Sequence, residues 1–472
     1  MTVCDELPEA PSVASVHESA LRVLERTGVL VQDDEGVALL RDLGARCDGR
    51  RVYLTEDHVH AALTTAPSSF VLAGRRPELG LPLGGADGRI FGSGSGAAYM
   101  LDGGAGGAPP VMRPGTLADL EATAKLGHVL PAIDFNSDCM EPLDLPEGER
   151  TRRGTYVRLI ASDKAIEWVA SVDEDVDDDE RINEILFGAR WHERPRALIV
   201  LNTTAPLQIS GETARILVRW ARLGQPACVT SCVMAGTTGP ATPAGVLAVQ
   251  HAEVLATLVL GQAAREGSPF VYGGLPVIAS LRTGAARFGG PEFVRMAVAT
   301  AQLAHLCGLP VRAGAACTDS HAVDARAMAE SAEGLSAAVF AGAHFLFQAA
   351  GIMSSFNALS LEKYVLDADL VSVLRAAVDP IRGGEDALAE DVIDAVGPGG
   401  GYLGQAHTRP HARDFERPGQ QAPETFERWA TAGGEDAASV AARRVQELLA
   451  AHEPPGDLEG ATRRQLDRYC AV

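Results

Sequence analysis

Asp319 and His321 stand two residues apart, a carboxylate and an imidazole that together could serve as acid and base on a small polar substrate. They belong to a wider set of hydrogen-bonding groups that recur where apolar, β-type runs end. Asn136, Asp138 and Glu141 form one such group, Asn202, Thr203 and Thr204 a second, and Thr230, Ser231 and Cys232 a third. Tyr272 followed by Gly273 and Gly274, then Thr318 to Ser320, and finally Gln348 complete the set. A purely structural scaffold does not require so many polar groups at strand ends, so a polar, glycine-lined cavity is expected, with room for a bulky partner at its rim. No Ser-His-Asp order, HExxH, P-loop or dinucleotide fingerprint is present to name the reaction. Cys228 and Cys232 with His251 beyond match no common zinc spacing, and no metal is expected.

The elements that must position these groups alternate in a regular way beyond Leu117. Apolar runs at Ile133–Ser137, Ile166–Ser171, Ala197–Leu201, Ala227–Val233, Pro269–Tyr272, Val311–Ala315 and His344–Phe347 are separated by long helical stretches. This is the pattern of a parallel sheet covered by helices. Seven clear units with an eighth near Met353–Leu359 suit a closed α/β (β/α)8 TIM barrel, whose active site lies at the C-terminal strand ends. The clearest helix runs from Pro243 to Ala264, with Thr242 as its cap and Pro243 at its first position. Residues 1–116 read as an N-terminal α+β cap, 117–360 as the barrel, and 361–472 as a C-terminal helical extension. The clusters Gly92–Gly96 and Gly103–Gly107 do not join a strand to a helix, so they read as turns in a β-rich cap rather than a phosphate cradle.

Composition narrows the partners. The 472 residues are 46% hydrophobic but only 5% aromatic, and carry a net charge of −21. Such a balance repels nucleic acid. Eight cysteines lie scattered without a CxxC pair, as reduced core thiols do. The first thirty residues lack a basic start followed by an apolar stretch, and no uncharged run of eighteen apolar residues occurs. The expectation is a cytoplasmic protein with no membrane partner.

Several stretches, in order along most of the chain, resemble the trimethylamine methyltransferase family, including its members that lack pyrrolysine. They are Ala235–Gly245 (AGTTGPATPAG) with Gln250-His-Ala-Glu253; Arg282-Thr-Gly284 with Pro291-Glu292; Gly308-Leu-Pro-Val-Arg312; Thr318-Asp319 with Asp324; and Gly397-Pro-Gly-Gly400 leading to His407-Thr408. The resemblance implies transfer of a methyl group from a methylamine or a quaternary amine, such as a betaine, to a cob(I)alamin. That corrinoid is carried by a separate protein, so no tightly bound cofactor is expected. A quaternary nitrogen leaves as a neutral amine, and members acting on trimethylamine carry pyrrolysine, which this chain lacks; a quaternary amine is therefore the expected substrate. A homo-oligomer is implied as well.

A pocket for such a cation would use aromatic faces and a carboxylate. The candidates are Tyr272, Phe135, Phe345, Phe347 and Phe356, with Glu253 and Asp319 as carboxylates. Gly273, Gly274 and His407 would face the carrier. Two positions depart from the family: His321 stands where a lysine is common, and Gln348 where a histidine is common. Glutamine keeps hydrogen bonding but cannot take a proton near neutral pH. These departures leave two other readings open: a lyase or hydrolase using Asp319 and His321, and a non-catalytic amine-binding or assembly subunit.

Overall fold

The computed structural model describes residues 13–470 except 87, 105–108, 281, 315, 382, 413–424 and 459. Eight parallel strands form the centre: β1 (Ile90–Phe91), β2 (Phe135–Asn136), β3 (Ala165–Trp168), β4 (Leu198–Asn202), β5 (Ala227–Ser231), β6 (Phe270–Gly274), β7 (Val311–Arg312) and β8 (Phe345–Leu346). Their order is β1-β8-β7-β6-β5-β4-β3-β2. A parallel bridge from Gly92 to Phe135 brings β1 back against β2 and completes the ring. Each strand is followed by its helix: α1 (Leu117–Val129), α2 (Glu147–Ala161), α3 (Asp173–Phe187), α4 (Gly211–Arg222), α5 (Pro243–Ala264), α6 (Pro291–Leu306), α7 (Ala325–Phe340) and α8 (Leu361–Ala377).

The barrel thus differs from the expected one in its first strand. β1 comes from within 1–116, so the range 117–360 leaves out part of the ring, and the Gly92–Gly96 cluster follows a barrel strand. The segment near Met353–Leu359 is not a barrel strand. Ile352–Met353 and Ala358–Leu359 form an antiparallel pair that extends through Tyr99–Asp102 to Val111–Pro114. A two-residue strand has too short a period for sequence to show, and glycine masks it further. Gly92 lets the Phe347, Phe345 and Phe135 rings pack close, since a Cβ there would lie 3.1–3.4 Å from them. Ala315, Cys4 and residues 105–107 of the Gly103–Gly107 cluster lie outside the described residues.

The N-terminal region covers two sides of the barrel. The hairpin Ser69–Leu72/Leu81–Gly84 closes the bottom, where Leu72 and Leu83 pack against Ile90, Leu198, Val271 and Phe345. The helices Val13–Arg26, Asp34–Asp42 and Glu56–Thr65 pack over α5. This explains why α5 is apolar on all sides: one face meets the strands and the other meets a second helical layer. α5 is long and apolar enough to cross a membrane, yet 83% of its most apolar window is buried inside the protein.

At the other end of the chain, Ala437–Ala450 packs on α8 and α1, and Gly460–Cys470 packs on α2 and α3. Between α8 and Ala437–Ala450, the short helices Glu385–Leu388, Glu390–Val396, Thr408–His411 and Phe426–Thr431 leave Ile381, Leu388, Ile393, Leu403 and Phe426 exposed.

Candidate active site

Strand alternation assigns the barrel's two faces. Phe135, Leu198, Cys228, Val271, Phe345 and Phe347 pack in one inner cluster, while Ile166, Trp168, Ile199, Val229, Tyr272 and Val311 belong to the core shared with the helices. By the same register Glu167, paired with Leu198, and Arg312, paired with Gly273 and Phe345, face inward. Phe345 stacks on Phe347 with ring centroids 4.9 Å apart, and edge-on against Phe135 at 5.3 Å. The phenyl rings therefore fill the middle of the barrel. Above them the ends of β4 and β5 stay open, since Asn202 and Cys232 are exposed.

Arg312 is 1% exposed. Its guanidinium donates to the Gly274 carbonyl at 3.0 Å and to Gln348 Oε1, and lies 5.8 Å from the centre of the Phe347 ring. Its Nε has no hydrogen-bond partner, and among the described residues no carboxylate pairs with it. Burial lowers its pKa, but a guanidinium remains charged throughout. Gln348, held at φ +56, thus acts as an acceptor that orients a cation. A neutral amide suits that position, because a protonated histidine would be repelled there.

Glu167 is 4% exposed and accepts from the backbone N–H of Asp138 at 2.9 Å. Burial, reinforced by the Asp138 carboxylate, pushes its pKa up to about 7, against the Asp138 N–H bond, Arg158 and Ser95. The sequence reading gave neither residue a role, although Arg312 ends one of the stretches that resemble the family. Their signal was a charged side chain inside an apolar strand run, Ile166-Glu167-Trp168 and Val311-Arg312.

Asp319, His321 and Phe356 come together, in a rim loop rather than as an acid–base pair. Asp319 accepts from the Phe288 N–H at 2.9 Å and from Ser355 Oγ at 2.9 Å, and His321 Nδ1 bonds Ser354 Oγ at 2.9 Å. Ser354, Ser355 and Phe356 all have positive φ, at 54°, 53° and 77°. Three successive left-handed residues are costly and persist only where neighbours hold them. Asp319 and His321 supply that hold, and the result is a Phe288–Phe356 stack at 5.5 Å. With each group bound to a different serine, the lyase or hydrolase reading loses its pair.

Other candidates lie elsewhere. Tyr272 faces outward, fully buried, and its hydroxyl bonds His251 Nδ1 at 2.8 Å; His251 Nε2 in turn bonds His17 Nδ1 at 2.8 Å. Its odd place in the strand repeat, opposite to Gly273, puts it against α5 and not in the cavity. Glu253 is clamped between α5 and the strands, accepting from Thr203 Oγ1 at 2.5 Å, Ser231 Oγ at 2.7 Å and the Leu207 N–H at 2.7 Å. Gly273 and Gly274 answer to their own neighbours: a Cβ would lie 2.5 Å from Thr230 Oγ1 in one case and 2.6 Å from Gln250 Nε2 in the other. His407 bonds the Asp386 carbonyl at 2.9 Å and lines a cleft of about 720 Å³ with Glu385, Glu390 and Asp391. Cys228 faces the barrel interior, whereas His251 lies behind the strands, so the imagined zinc set is not assembled.

Residues 3–472 match the trimethylamine methyltransferase (MTTB) family model. The glycine betaine methyltransferase of Desulfitobacterium hafniense is 36% identical over 449 residues, covering 94% of this chain and 92% of that protein. A trimethylamine methyltransferase of Methanosarcina thermophila is 28% identical, covering 93% and 92%. Among solved structures, the Methanosarcina barkeri monomethylamine methyltransferase superposes with a TM-score of 0.54 at 10% identity, covering 92% of this chain and 87% of that one. At that identity the likeness concerns the fold, a (β/α)8 barrel. Sequence match and architecture together show that the chain belongs to the trimethylamine methyltransferase family and is an amine methyltransferase.

Proposed function

We propose that the protein takes a methyl group from a betaine, a quaternary amine that also bears a carboxylate, and passes it to the cob(I)alamin of a separate corrinoid protein. One observation carries the choice of substrate: the buried guanidinium of Arg312, with its Nε unpartnered and no acidic partner among the described residues. A charge so placed is costly unless a ligand completes it, and a planar carboxylate matches its fork. The 36% identity to a glycine betaine methyltransferase supports the same reading.

The mouth fits the approach of a carrier, since Asn202 and Cys232, at the inward ends of β4 and β5, are open to solvent. A cob(I) centre supplies the two-electron nucleophile for the methyl carbon. The chain's own work is to fix the substrate so that one N–CH3 bond points out of the barrel. Arg312, set by Gln348 and the Gly274 carbonyl, holds the carboxylate end. The phenyl rings below exclude water and give the methyl groups an apolar floor. Departure of a neutral tertiary amine needs no prior protonation, so the lack of a histidine at Gln348 does not obstruct the reaction. Seven described cysteines are free thiols, which fits a reducing cytoplasm. The apolar side chains exposed between Ile381 and Phe426 support contact with another chain, the carrier or a second copy.

The test is spectroscopic. A corrinoid carrier held as cob(I) and mixed with this protein should convert to the methyl-cob(III) form with glycine betaine and not with trimethylamine. Conversion with trimethylamine, or with choline in preference to betaine, would overturn the reading.

A further inference from the structure

Among the described residues, Glu167 is the one carboxylate and Arg312 the one cation within the eight strands, and both face inward. β3 and β7 are four places apart around a ring of eight, so the two side chains rise from opposite walls. They make no ion pair with each other among the described contacts. The other carboxylates are engaged elsewhere: Glu253 by three donors behind the strands, Asp319 by the rim loop, and Asp134 by Arg375. Asp138 gives its backbone N–H to Glu167, while its side chain lies 3.7 Å from Arg158.

We propose that Glu167 and Arg312 form a two-sided clamp for a zwitterion, in which Glu167 faces the quaternary ammonium while Arg312 takes the carboxylate. This rests on the betaine reading and adds the residue that recognises the other end of the substrate. A quaternary ammonium donates no hydrogen bond, so what it requires is a negative charge at short range and an apolar surround. The inner wall offers both, since Glu167 shares the inward face with Phe135, Phe345 and Phe347. Two buried opposite charges on facing strands, with no ion pair between them among the described contacts, suit a ligand that carries the complementary pair.

The clamp has a consequence for protons. The groups facing Glu167 are the Asp138 carboxylate, which with burial favours its neutral form, and Arg158, Ser95 and the Asp138 N–H, which favour the charged one. Cys228 and Arg312 lie within its field. A bound cation shifts that balance to the carboxylate, so betaine binding near neutral pH releases a proton from Glu167.

Calorimetric titration of the full chain with glycine betaine, in two buffers of different ionisation enthalpy, reads this directly. The wild type should release a fraction of a proton at pH 6.5 and bind progressively more weakly below pH 7. Glu167→Gln, which keeps shape and hydrogen bonding, should release none and bind betaine at least tenfold more weakly with no such pH dependence. Glu167→Asp, which keeps the charge, should retain proton release and serves if the glutamine variant folds poorly. Unchanged affinity and unchanged proton release in Glu167→Gln, with betaine still bound and demethylated, would overturn the clamp and leave the betaine reading intact. Failure of the wild type to bind betaine would overturn both.

Discussion

The inner and outer faces of the barrel strands both bury polar side chains, and they treat them in opposite ways. On the outer face, between strands and helices, Glu253, Tyr272 and His251 are all answered. Glu253 takes three donors, Tyr272 meets His251, and His251 meets His17. On the inner face, Arg312 keeps a bare Nε, and Glu167 lacks a cation within pairing distance among the described contacts. Buried polar groups are costly to leave unpaired, so a completed network marks scaffold, and an incomplete one in an open mouth marks a place for ligand. The same contrast separates the sequence candidates that stand at the mouth from those that do not.

The largest expected effect comes from removing the incomplete charge. Arg312→Met keeps an apolar chain against Phe347 but loses the guanidinium. Loss of a charge-assisted contact to substrate costs about 3–4 kcal/mol, so kcat/KM for betaine should fall roughly 100- to 1,000-fold. Thermal stability should hold or rise, because a lone buried charge is taken away. A fall in Tm as large as the fall in activity would show that Arg312 is scaffold after all.

Glu253→Ala probes the other face with the opposite expectation. It leaves Thr203, Ser231 and the Leu207 N–H without their acceptor, which costs about 3 kcal/mol of stability. Chemical denaturation measures that loss, while methyl transfer per folded molecule should stay near the wild-type level. Lost activity in a well-folded variant would move Glu253 back into the binding site.

How much of this was legible in sequence depended on the length of the signal. α5 was read to the residue, because Thr242-Pro243 marks its start and a long apolar run carries it. β1 was missed, since two residues between glycines give no period. The side-chain faces were missed for a related reason. Around Tyr272 the strand is buried on both sides, so Val271, Tyr272 and Gly273 show no polar alternation to tell inside from outside. Glu167 and Arg312 could have been found by asking why a charge stands within an apolar strand, which is a stronger sign than an aromatic at a strand end.

The two faces should also differ in sign when pH is varied. Burial lowers the His251 pKa from 6.5 to about 3 in the folded protein. Its contribution is therefore fully present above pH 6.5 and lost as pH falls towards 3, with about 2 kcal/mol gone by pH 5. Glu167 has its pKa raised from 4.5 to about 7, so its contribution is present below pH 4.5 and lost as pH rises through 7. His251→Gln should flatten the acid limb of a Tm-against-pH curve, and Glu167→Gln should lift the alkaline limb. If both variants change the same limb, the contrast between the faces fails.

The smallest effect is the one that separates the two faces within a single strand. Tyr272 was a sequence candidate for holding the substrate cation, yet its neighbours Val271 and Gly273 face the interior and Tyr272 does not. Tyr272→Phe keeps the ring in its packing and removes only the hydroxyl bonded to His251 Nδ1. The cost is that of one buried neutral hydrogen bond, about 1 kcal/mol, and it should be read in denaturant midpoint. KM and kcat for betaine should not move, because the ring lies on the helix side of the wall and the hydroxyl points away from the mouth. An increase in KM at unchanged stability would mean that the phenol reaches substrate, and that the wall between the two chemistries is not where the strand register puts it.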